Sequence, residues 1–86
     1  MRAPALRRRI VEYVRSQGGW IVATTGVAQA GTPDLIACVH GRFLAIEIKT
    51  GRDAMSKRQE LERERITKAG GTYIVAKDVS DVAGYV

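Results

Sequence analysis

The sequence is poor in several residue types that commonly carry chemistry or cross-links, with one cysteine, one histidine, one tryptophan and one phenylalanine in 86 residues. Cys38 cannot close an internal disulfide, and its place in an apolar run predicts a buried free thiol. His40 falls between two strand-like runs and reads as a turn residue rather than a general base. No segment approaches the roughly 18 to 20 consecutive apolar residues of a membrane-spanning helix. The basic start, MRAPALRRRI, has no apolar signal core, which predicts no secretory peptide and an intracellular protein. Stacking aromatics are few, with Phe43 and Tyr73 in buried-type strands, which weighs against an RNA-binding surface. Acids are short at one end: Arg2, Arg7, Arg8, Arg9 and Arg15 face only Glu12.

What is present describes a small globular protein. Apolar residues make up 45% and charged residues 27%, and the length is that of one domain with a modest core, for which dimerisation is a common remedy. Lysine and arginine number 14 against 9 acids, a net charge of +5, which suits a polyanion such as nucleic acid. The excess gathers in the first segment, so Arg7, Arg8 and Arg9 are candidate phosphate contacts.

Leu6, Ile10, Tyr13 and Val14 recur at helical spacing before Gly18-Gly19, predicting an amphipathic helix over 5–17. WIVATT, 20–25, reads as a strand, and Pro33 holds its predecessor extended before the next one. The runs 34–39 and 42–49 are separated only by His40-Gly41, the spacing of a two-residue hairpin. Ser56-x-x-Gln59 is a capping box opening a charged helix that Gly70-Gly71 end near Ala69. TYIVA, 72–76, is a last strand, and Ser80 caps a final turn. The order is αβββαβ(α), a single α/β domain over 1–86.

A two-residue turn pairs Val39 with Arg42 and places Asp34 opposite Glu47. Opposed side chains share a face with Cβ atoms about 5 Å apart, so two carboxylates converge, and Lys49 joins them about 6.6 Å further along the strand. Ile36, Cys38, Phe43 and Ala45 complete that face; Leu35, Ala37, Leu44, Ile46 and Ile48 form the other. Both are apolar, which predicts a sheet covered on both sides. Carboxylates this close repel unless a cation sits between them. Hard oxygen ligands without histidine or cysteine favour Mg²⁺ or Mn²⁺, held by Asp34, Glu47 and the backbone carbonyl of Ile48. Lys49 could then orient a coordinated water or neutralise charge on a phosphate. The blander account makes Asp34 a turn residue after Pro33, and Glu47 and Lys49 a solvated strand end.

An Asp at the start of one strand and Glu-x-Lys at the end of the next resemble the PD-(D/E)XK nuclease superfamily. The longer string, Gly31-Thr32-Pro33-Asp34, Glu47-Ile48-Lys49, Ser56-x-x-Gln59 and Gly70-Gly71 before TYIVA, resembles a stand-alone VRR-NUC domain, a module found in phages, over residues 5 to about 83. The resemblance implies a small restriction-endonuclease-like mixed sheet and Mg²⁺- or Mn²⁺-dependent hydrolysis of DNA leaving a 5′-phosphate. It assigns Asp34 and Glu47 as metal ligands, Lys49 as the catalytic lysine and Gln59 as the helix glutamine beside the site. Similarity of small members to Holliday-junction resolvases implies a homodimer acting on branched DNA, and the phage relatives are compatible with a virus-encoded origin. No organic cofactor or membrane is implied.

One departure bears on activity. Related nucleases often carry a further acid on the inward face near the start of helix 1, whereas APALRR has none. Glu12 lies about 160° from Ile10 and Val14, on the outer face. A nuclease-like DNA-binding module without activity is therefore the second reading. Lys57 and Arg58, in the turn after the Glu-x-Lys strand, are further candidate DNA contacts, and Glu60 to Arg65 read as a solvated, ion-paired face. Trp20 reads as a core or interface aromatic.

Overall fold

A computed structural model describes residues 1–86. Its elements are α1 (Ala3–Ser16), β1 (Trp20–Ala23), β2 (Leu35–Val39), β3 (Arg42–Ile48), α2 (Lys57–Lys68), β4 (Thr72–Ala76) and α3 (Ser80–Ala83). The strands form one mixed sheet in the order β1-β2-β3-β4, antiparallel for the first two pairings and parallel between β3 and β4. A parallel pair needs a crossover, and α2 supplies it. Observed bounds differ from the expected ones by a residue or two; Thr24 and Asp34, just past the paired residues of β1 and β2, still face each other through the Thr24 N–H and hydroxyl. No helix is long and apolar enough to cross a membrane.

The hairpin has the expected register, Leu35 opposite Ile46 through Val39 opposite Arg42. His40 and Gly41 both have positive φ, 51° and 77°, as a two-residue turn matching the strand twist requires. Pro4 sits in the first turn of α1, where its missing N–H costs nothing. Leu6, Ile10 and Val14 of α1 are fully buried against Leu35, Ala37, Val39, Leu44 and Ile46, with Ile21, Ile48, Ile74, Ala76 and Val82 completing one cluster. Each such side chain contributes roughly 1.5–3 kcal/mol by leaving water.

The opposite face departs from expectation. α2 packs on β4 and covers Ala45 and Glu47, but nothing covers the β1-β2 side, where Trp20 is 56% exposed, and Phe43 of β3, at the border beside Gly71, is 47% exposed. The pairings Trp20 with Cys38 and Cys38 with Phe43 set these three in one row across the sheet, so Cys38 is an exposed thiol and not a buried one. One crossover helix spans only two strands, and with α1 on the other side the sheet is closed on one face and half open on the other. The expected shortage of exposed aromatics is thereby corrected as well.

Candidate active site

Asp34 is the last residue before β2 and Glu47 the second-last of β3, and the hairpin register continues one step to face them. Asp34 Oδ2 accepts from the backbone N–H of Ile48 at 2.8 Å, which ties the carboxylate to the strand end beside Glu47. Its backbone carbonyl accepts from the N–H of Thr24 at 3.0 Å and from the Thr24 hydroxyl at 3.3 Å, and the same hydroxyl donates to the carbonyl of Pro33. Thr24 thus fixes the backbone on which Asp34 is mounted, a contribution not visible in the sequence pattern.

Glu47 is only 3% exposed. Lys49 Nζ lies 3.6 Å from its Oε2, and Gln59 Nε2 donates to the same oxygen at 3.2 Å. Oε1 is buried with no donor. Burial, then the charge of Asp34, push the Glu47 carboxyl up from 4.5 to about 7; Lys49 pulls the other way without cancelling this. Such a centre holds uncompensated negative charge whenever both acids are ionised. Two carboxylates, one with a free inward oxygen and no third acid, histidine or cysteine joining them, fit a hard divalent cation that keeps several waters. The carbonyl of Ile48 belongs to the same strand end, whose N–H is engaged by Asp34.

Gln59 performs two tasks at once. Its Oε1 accepts from the N–H of Ser56 at 2.9 Å while the Ser56 hydroxyl accepts from its N–H at 3.1 Å, the reciprocal capping box that starts α2. The amide nitrogen of the same side chain reaches Glu47, so the cap anchors α2 to the site.

The candidate DNA contacts divide. Arg8, Arg9 and Lys57 are exposed, and Arg7 is half-buried with its Nε lacking a partner. Arg58 is exposed too and is also engaged within the protein: Nε donates to the carbonyl of Ala30 at 3.2 Å and Nη2 lies 3.6 Å from Glu62. Glu62 corrects the expectation of a solvated run, since it is 6% exposed and also accepts from Gln29 Nε2 at 2.9 Å and Arg65 Nη1 at 3.1 Å. It fastens the loop before Asp34 to α2, one turn beyond Gln59. Gly31 completes the joint: φ is +80°, and a Cβ there would come within 2.7 Å of the Arg58 carbonyl. Helical spacing from Gln59 could have flagged Glu62; its partners, far away in sequence, could not be read. The first turn of α1 has no acid, and Glu12 is exposed.

The sequence profile of the archaeal Holliday junction resolvase (Hjc) family matches residues 2–77. Among solved structures, one described as a VRR_NUC domain superposes with a TM-score of 0.81 at 22% identity, covering 94% of this chain and 89% of that one. The Hjc Holliday junction resolvase of Archaeoglobus fulgidus superposes with a TM-score of 0.65 at 20% identity, covering 88% and 68%. No curated protein matches the sequence. The fold drawn from the sequence, a small mixed sheet flanked by helices, is the fold of these structures.

Proposed function

The chain belongs to the archaeal Holliday junction resolvase (Hjc) family, and from that premise we propose that it is a divalent-metal-dependent endonuclease that hydrolyses phosphodiester bonds of branched DNA, leaving a 5′-phosphate. The observation that carries this reading is the buried Glu47, whose Oε1 has no donor and whose charge is opposed by Asp34. Asp34, Glu47 and the Ile48 carbonyl would hold Mg²⁺ or Mn²⁺, which when bound polarises a phosphate oxygen and lowers the pKa of a coordinated water.

The chain's own residues do the rest. Asp34 is kept at the strand end by the Ile48 N–H, so its carboxylate needs no reorganisation. Gln59 and Lys49 hold Oε2 of Glu47 and leave Oε1 to the site. The Lys49 ammonium, 13% exposed, offsets negative charge that builds on the phosphate as the bond to the leaving oxygen breaks. Exposed Arg8, Arg9 and Lys57, with Arg7 beside them in sequence, contact phosphates without reading bases, as suits an enzyme selecting shape. The 86 residues act as one nuclease domain, inside the cell where its DNA substrate lies, and two copies form a homodimer that presents two sites to a junction.

A second reading, a DNA-binding module without cleavage activity, is favoured by one observation, the absence of an acid from the first turn of α1. Cleavage of four-way-junction and linear DNA in Mg²⁺ and in Mn²⁺ separates the two, with Glu47→Ala and Lys49→Ala run alongside. The enzyme reading expects junction cleavage that falls by at least ~10²-fold in both variants. Junction binding by all three proteins with equal absence of cleavage establishes the second reading.

A further inference from the structure

Two buried polar atoms on the α2-covered face lack partners, and their chemistry is complementary: Glu47 Oε1 accepts and the Tyr73 hydroxyl donates. The parallel register sets Tyr73 beside Ala45 and Val75 beside Glu47, so Tyr73 shares the face of Glu47 on the neighbouring strand. The Arg63 guanidinium lies 5.7 Å from the centre of its ring and pins it beneath α2. Burial, and next the charge of Glu47, hold the Tyr73 phenol well above its ordinary range, while Arg63 pulls the other way. A buried hydroxyl without a partner is costly, so its retention on this face calls for an acceptor.

Resting on the metal-centre reading above, we infer that Tyr73 is a positioning residue of that centre: in the metal-loaded protein its hydroxyl donates to the Glu47 carboxylate and orients it toward Asp34. An ionised carboxylate oxygen has two lone pairs, so Oε1 can accept this bond and still ligate. Outer partners of this kind are worth roughly 10–100-fold in metal affinity, because they fix the orientation of the ligand. With only two acids in the centre, orientation of each counts for more.

Titration of the full chain with Mn²⁺ by calorimetry, alongside Tyr73→Phe and metal-free thermal melts of both proteins, tests this. Phenylalanine keeps the ring and its contact with Arg63 and removes only the hydroxyl. The expected result is a Mn²⁺ Kd raised by about tenfold or more with a metal-free Tm equal to or above wild type. Wild-type Mn²⁺ affinity in Tyr73→Phe overturns the inference and leaves the metal centre standing. A Tyr73→Phe chain that does not fold also overturns it, since the hydroxyl would then already be engaged without metal. No Mn²⁺ binding by the wild type overturns the metal-centre reading itself, and this inference with it.

Discussion

Leu44 and Glu47 leave one strand on opposite sides, and both are almost completely buried. Leu44 is buried among Leu35, Ile46 and the α1 side chains, where every neighbour gains from its presence. Glu47 is buried under a helix, α2, whose only buried residue is a second carboxylate, Glu62. The α1 face is a packed hydrocarbon layer that stabilises the domain. The α2 face is electrostatically costly at one end and open at the other, where Trp20, Cys38 and Phe43 meet solvent. One sheet thus uses the stability gained on one side to tolerate strain on the other, which is the arrangement expected of a site that needs a cation to be at ease.

Leu44→Ala should have the largest effect on stability. It removes a fully buried side chain from the α1 face, and the lost transfer energy plus the cavity amount to about 3 kcal/mol, a large fraction of what a domain of this size holds. Urea unfolding would report it as a lower midpoint with an unchanged slope. A loss below about 1 kcal/mol would mean that the α1 face is not the packed layer described.

Glu47→Gln should act in the opposite direction, and only at higher pH. The folded state raises this carboxyl from 4.5 to about 7, so it binds the proton more tightly than the unfolded chain does. Stability from this group is fully present below about pH 4.5 and is lost as pH rises through 7. In EDTA at pH 8, Glu47→Gln should therefore be more stable than wild type by at most about 3 kcal/mol; the difference should shrink to under about 1 kcal/mol at pH 5 and nearly vanish below about pH 4. Thermal melts across that range decide it. A pH-independent difference would put the effect in packing instead of charge.

Much of this contrast was legible before any coordinates, and the reason is periodicity. A two-residue turn leaves one register, and that register alone sets Asp34 across from Glu47 and sorts Leu35, Ala37, Leu44 and Ile46 onto the α1 face. The capping box likewise gave the start of α2 and put Gln59 beside it. What could not be read was coverage. Alternation shows that a face is apolar but not whether another element lies on it, so Cys38 and Phe43 looked buried, and Trp20 looked fit for a core or an interface. Nor could long-range polar partners be read: Glu62 with Gln29 and Arg58 with Ala30 join segments whose meeting depends on how the 24–33 loop folds back over α2.

That joint sets the next prediction. Glu62→Ala removes the acceptor for Gln29, Arg58 and Arg65, but both arginines remain about half exposed and can turn to water. The cost should be about 1–2 kcal/mol, well below that of an abandoned buried charge. The effect should be local: limited proteolysis should cut between Thr24 and Pro33 faster than in wild type, while the hairpin keeps its protection from hydrogen exchange. Uniform loss of protection across β2 and β3 would show that Glu62 supports the sheet and not the loop.

The smallest effect belongs to the open end of the α2 face. Phe43→Ser changes a side chain that is 47% exposed on the same strand as fully buried Leu44, so in dilute protein it should cost no more than about 0.5 kcal/mol. The dilution series matters, because Trp20, Cys38 and Phe43 form one row, and a row of apolar side chains meeting water is stabilised by anything that covers it. If the cost of Phe43→Ser stays flat from micromolar to hundreds of micromolar protein, the open half of the face is open in solution and its aromatics are free to meet DNA or another protein. If the cost rises past about 1 kcal/mol with concentration, mass action identifies the cover as a second copy of the chain. The two faces would then differ in what covers them and no longer in how much they are buried.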